Sequence, residues 1–172
     1  MQGHVPEPSP ANLLPVSIAT SVLAVLIALV ALLGHRAHTR SILAQNRMSE
    51  EWVHYQSKAL GRIEYDALLD FLSFARLKDP ASAATLKAKY QQAMAENGQE
   101  QQEIEQKANT LESEVEHRET EADRFDLADV LLEAALVLMS ITLLTKRWLY
   151  WGIGLAFGGI GLVIAAMAFI VS

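Results

Sequence analysis

Three apolar runs, each long enough to cross a bilayer, decide what this chain can fold into. They are Leu13 to Leu33, Leu127 to Thr145 and Trp148 to Val171. A hydrocarbon core of about 30 Å needs roughly 20 apolar residues at a helical rise of about 1.5 Å each. The polar residues 34–126 lie between the first two runs. The expected fold is an all-α membrane protein. Three transmembrane helices (13–33, 127–145 and 148–171) carry a long antiparallel, coiled-coil-like helical hairpin between the first and the second.

Composition narrows the function classes. Charge is concentrated between Arg36 and Glu133, the net charge is -6, and there is no sustained basic run. That argues against a nucleic-acid surface. Cysteine is absent, which removes disulfides, thiol catalysis and thiolate metal sites. No nucleophile–base pair and no cofactor motif stands out, so neither an enzyme nor a cofactor is expected. The glycine-rich last run lacks the phosphate-loop pattern.

The first twelve residues, MQGHVPEPSPAN, hold Pro6, Pro8 and Pro10 and no Lys or Arg. Proline lacks a helical donor, so a mobile tail is expected over 1–12. Without a basic n-region the apolar run that follows reads as a retained helix rather than a cleaved signal. Gly34 marks the end of that span or a bend in a longer rod.

The hairpin, 34–126, is read from punctuation and periodicity. Trp52, Tyr55, Gln56, Ala59 and Ile63 follow helical spacing, as do Leu68, Phe71, Leu72 and Ala75. Lys78-Asp79-Pro80 is a stop and restart, with Asp79 an N-cap and Pro80 the first helical residue, placing the turn near 78–82. Asn97-Gly98 reads as a C-cap or kink, a break near 97–98. Beyond it Ile104, Ala108, Leu111, Val115, Ala122 and Phe125 alternate by three and four, interrupted by Arg118. The register continues through Asp129, Leu132, Leu136 and Met139. The outgoing and returning segments correspond to about 65 Å and about 70 Å of helix, which suits an antiparallel pair. The acidic stretch Glu112–Asp123 reads as a solvated face.

The stretches LAQNRMSEEWVHYQSK and RFDLADVLLEAALVLMSITLLTKRWLYW resemble a bacterial membrane-protein family known as domain of unknown function 4337. The likeness lies in the Trp52–Tyr55–Gln56–Lys58 pattern, the acidic start of the second span, and the Thr145-Lys146-Arg147-Trp148 turn. It implies one span, a long helical insert and two further spans, in a bacterial inner membrane. It implies no activity, substrate or cofactor.

Candidate functional residues fall into four groups. Asp126, Asp129 and Glu133 share one helix face; Glu133 lies about 9 Å into the second span. It is expected to face the bundle and find a partner or be carried neutral, because a charge at depth is costly. The sharp reading is a proton or cation site. The more economical one is a structural anchor paired with Arg36 or with a neighbouring subunit. His35 and His38, with Asp126 or Asp129, make an incomplete metal-ligand set. Gly154, Gly158 and Gly161 are expected to form a helix-packing face, the first two as a GxxxG pair. Trp52 and Tyr55 are expected at a contact within the hairpin or between subunits, and a ligand cage is the sharper alternative.

These readings favour a membrane-anchored scaffold or interaction protein whose partners are the lipid bilayer, further copies of itself and another protein bound through the hairpin. The alternative is a small ion or proton channel, or a transporter subunit, using Glu133. Arg36, Arg40 and Arg47 follow the first span and no basic residue precedes it, which places the hairpin and the C-terminus in the cytoplasm. The Lys146–Arg147 turn argues the other way.

Overall fold

The computed structural model describes residues 13–74 and 79–171, so the expected tail 1–12 lies outside the described residues. Three helices follow in order: α1 (Leu14–Phe74), α2 (Pro80–Thr145) and α3 (Trp148–Val171). Each contains a segment long and apolar enough to cross a membrane. The chain divides into two compact units, residues 1–41 with 117–172, and residues 42–116. Both α1 and α2 contribute to each unit.

In the first unit, α1 buries Val16, Leu23, Val30 and Ala37, each seven residues from the last. Leu23, Val30 and Ala37 join Ala122, Phe125, Ala128, Leu132, Ala135 and Met139 of α2, with Ala165 and Ala168 of α3, in one core. Alanine dominates that list for a physical reason. Lipid tails are as apolar as leucine, so helices associate in a bilayer through close van der Waals approach, which small residues allow. Gly34 belongs to the same scheme. A Cβ placed on it would sit 3.3 Å from Phe125 Cβ, and α1 runs through the position without ending.

The second unit pairs Ile42–Phe74 of α1 with Pro80–Glu116 of α2, antiparallel. Buried residues gather at one end: Ala44, Ile104, Ala108 and Val115, with Gln101. Further along the pair, polar ties take over. Lys107 pairs with Glu51 and Lys58 with Glu100, Arg62 Nη1 donates to Gln101 Oε1 at 2.9 Å, and Tyr65 stacks on Tyr90 at 5.9 Å. The Lys58 ammonium hydrogen-bonded to Glu100 holds that carboxyl below its ordinary range.

Asp79 caps α2 as its sequence suggests. Its carboxylate accepts from Ala81 N–H at 3.1 Å and from the Ser82 hydroxyl. The Ser82 hydroxyl first, then the backbone donors, lower its pKa. The stabilisation by the ionised cap is therefore complete above the ordinary carboxylate pKa and is lost as pH falls through the lowered folded-state value.

The break expected near 97–98 is absent, because α2 passes through Asn97-Gly98 as helix and no described glycine has positive φ. Asn97 serves close approach instead. A Cβ on Gly61 would meet Asn97 Nδ2 at 2.9 Å, whereas one on Gly98 would lie at an ordinary 3.9 Å from Arg62 Nε.

Between α2 and α3 only Lys146 and Arg147 are non-helical. Lys146 adopts φ 56°, and its N–H bonds Thr142 O at 2.8 Å. That is the left-handed cap that ends a helix abruptly.

Candidate functional site

The membrane unit holds nearly all the candidate chemistry, and its register decides which side chains can meet. The buried positions of α2 place Asp126 beside α1. His38 Nε2 lies 3.0 Å from both Asp126 oxygens, with both side chains about half exposed. This clasp joins α1 to α2 close to Gly34 and Phe125. His35 is exposed, and no group of three or more His, Asp or Glu able to hold a metal occurs among the described residues. Of His35 and His38, His38 is thus paired with Asp126.

Asp129 follows at the next turn, partly buried. Its Oδ1 is buried without a hydrogen-bond partner among the described residues. Trp151 Nε1, in the first turn of α3, is the other such atom.

Glu133 departs from expectation. It is exposed, on the side of α2 turned away from the unit's core. The reason is register. Leu132 and Ala135 are fully buried against the other two helices, and a helix turns about 100° per residue, which swings Glu133 outward. No hydrogen bond or ion pair reaches it among the described residues, Arg36 included. A carboxylate facing lipid costs about 2.5–3.5 kcal/mol on insertion scales at the centre of a span, and less at the shallower depth of Glu133.

The solvated face expected over Glu112–Asp123 also needs correction. Glu121 is buried, with its side chain 3% exposed. Arg118 Nη1 lies 3.1 Å from Glu121 Oε2, and Arg40 Nη1 of α1 lies 3.7 Å from Oε1. A buried carboxylate held by two arginines is a structural clamp just outside the second span. Arg118, the one interruption in an otherwise apolar seam, was its sequence signal.

The glycines of α3 sort themselves by contact. A Cβ on Gly154 would lie 3.2 Å from Ala135 O, and one on Gly161 3.1 Å from Ala128 O. These two, seven residues apart, lie against the α2 backbone. Gly158 has ordinary contacts to Ala135 at 3.6 Å and Leu23 at 3.8 Å, while Gly152 and Gly159 face open space. An apolar groove of about 340 Å³ runs past Gly158 and Gly159 between Leu155 and Leu162 of α3 and Leu23 and Leu26 of α1.

In the second unit Trp52 and Tyr55 meet edge to face at 5.4 Å, both half-buried. A cavity of about 590 Å³ opens beside Arg62, Asp66, Met94 and Gln102.

Taken together these features define an all-helical membrane protein with three helices able to span a bilayer and a long polar helical insert. The chain matches the family described as Domain of unknown function (DUF4337) over residues 13–171, and it belongs to that family. No curated protein and no solved structure matches it.

Proposed function

We propose that the protein is a membrane-anchored helical scaffold that assembles with copies of itself, its hairpin serving as the contact arm. One observation carries the reading. On α1 of the second unit Val53, Leu60, Ile63, Phe71 and Phe74 are 66% exposed or more, while no α1 residue from 45 to 74 is fully buried. Helical pairing alone leaves this apolar face wet, and a face of that size on a polar insert marks an interaction surface. The strict spacing by three and four along both helices supports a coiled-coil arrangement.

The test is a double substitution, Leu60→Glu with Ile63→Glu. Both sites are exposed, so the fold should survive with unchanged helix content by circular dichroism. Subunit number in nanodiscs should fall. Unchanged mass distributions in a folded variant would remove the hairpin from assembly.

The reading includes a bacterial inner membrane with the hairpin on the cytoplasmic side, supported by Arg36, Arg40 and Arg47 after the first span. Gln102 is exposed. With Gln102→Cys in a chain that has no other thiol, an impermeant maleimide should label only after spheroplasts are lysed. Labelling before lysis would put the hairpin outside.

The competing reading is a small channel or transporter subunit. Glu133 points away from the unit's own core, so that reading would require a pathway lined between copies.

A further inference from the structure

An exposed side of α2, bordering α1 at Asp126, carries a second register. Asp126, Val130, Glu133, Val137, Ser140 and Leu144 are all exposed, separated by four, three, four, three and four residues. That spacing keeps them on one straight stripe. Polar side chains stand at every seventh position, Val130 and Val137 lie between them, and Leu144 follows the last. Asp126 is engaged by His38, and the Ser140 hydroxyl donates to Leu136 O at 2.9 Å on its own helix. Glu133, deepest of the acids, is left without a partner among the described residues.

We propose that this stripe is the contact between two copies of the chain, α2 against α2, with the two Glu133 carboxyls hydrogen-bonded to each other. The proposal rests on the self-assembly reading above and names where the copies meet. Copies inserted in one orientation place their α2 helices parallel, and a twofold axis along the membrane normal sets each residue against its own counterpart.

Depth then decides the partner. Ala135 lies level with Gly158 and Leu23, and Phe125 level with Gly34. Between those levels Leu23–Val30 of α1 and Gly158–Ala165 of α3 hold no polar side chain. In a second copy, the polar side chains between those levels are all on α2: Glu133 itself and, a turn or more nearer the membrane face, Asp129 and Asp126; a parallel twofold pairing sets Glu133 against Glu133. The two outward valines, β-branched and seven apart, suit a parallel two-helix seam.

Two ionised carboxylates repel at such a contact, so the pair forms with a shared proton: one carboxyl donates its O–H to an oxygen of the other. The titratable groups near it are Asp129 and the His38-bound Asp126 of the same helix, with their counterparts in the second copy. Between Leu14 and Gly34 α1 contributes none, and α3 contributes only Tyr150 at its far end. Assembly through α2 should therefore weaken as rising pH removes the shared proton.

Single cysteines test the geometry in membranes, since the chain has no native thiol. Oxidation should give disulfide dimers from Val130→Cys and Val137→Cys. Val25→Cys on α1 and Val163→Cys on α3, both exposed apolar positions, should stay monomeric. Dilution in liposomes, read by energy transfer between labelled copies, tests the chemistry. Glu133→Gln, a neutral donor and acceptor, should keep the dimer and lose the pH dependence. Glu133→Leu should weaken it about tenfold, the scale of one interhelical hydrogen bond. Equal cross-linking from Val25→Cys or Val163→Cys, a wild-type dimer indifferent to pH, or an unchanged Glu133→Leu affinity would overturn the proposal. Cross-links from Val137→Cys to a different protein alone would overturn it as well. A chain that still assembles without Val137 cross-links would sink this contact and leave the hairpin reading standing. A chain monomeric under every condition would sink both.

Discussion

Replacing Gly161 with Leu should destabilise the membrane unit by about 3 kcal/mol, the upper end of the range for overpacking a filled core. A Cβ there would already stand 3.1 Å from Ala128 O and from Leu132 Cγ, and 3.2 Å from Leu131 Cβ. The first neighbour is backbone of a helix that cannot yield without parting from α3. Gly159→Leu should change nothing measurable, since its Cβ would enter open space. Gly158→Ala should also be tolerated, because its nearest contact is an ordinary 3.6 Å. Thermal unfolding in detergent, followed by circular dichroism, orders the three. A Gly161→Leu variant as stable as Gly159→Leu would mean that α2 and α3 are not in backbone contact there.

The second large effect belongs to the clamp around Glu121, and its asymmetry is the test. Arg118→Ala should cost about 3 kcal/mol, because it leaves a buried carboxylate with only Arg40 at 3.7 Å. Glu121→Leu should cost about 1 kcal/mol or less. It removes the buried charge, while Arg118, at 27% side-chain exposure, and Arg40, at 55%, can turn to water. Denaturant unfolding of the two single variants settles the order. If Glu121→Leu proved the more damaging, the carboxylate would be holding something besides the two arginines.

The sequence made the spans and the reversal at Asp79-Pro80 legible because each rests on local chemistry: hydrophobic length in one case, a cap and a missing donor in the other. It was weaker wherever tertiary packing outvoted a local signal. Asn97-Gly98 carries the residues of a helix stop, but an opposing Gly61 puts Asn97 to use in close approach. Glu121 was hidden in an acidic stretch whose average composition reads as solvated, although Arg118 and Glu121 sit three apart on the seam side. Glu133 was placed toward the bundle by an energetic argument, the cost of a charge at depth, with Arg36 or a neighbouring subunit as its partner. Its register, one residue past the buried Leu132, points the other way. The GxxxG motif drew attention to Gly154 and Gly158, whereas the backbone contacts fall at Gly154 and Gly161, where the seven-residue repeat of α2 presents Ala128 and Ala135.

The two-residue link between α2 and α3 has a mechanical consequence. Lys146 is already in a left-handed cap and Arg147 directly precedes α3, so there is no slack to absorb a slide of one helical turn, about 5.4 Å. Glycines at both ends of the contact press α3 onto the α2 backbone. The pair is therefore one stiff element. Toward α1, α3 presents a groove in place of a backbone contact, and α1 has no short tether to α3. Within the membrane unit a one-turn slide of α3 along α2 is therefore blocked by the link, while α1 is held to α2 by side-chain packing and by the His38–Asp126 and Arg40–Glu121 contacts.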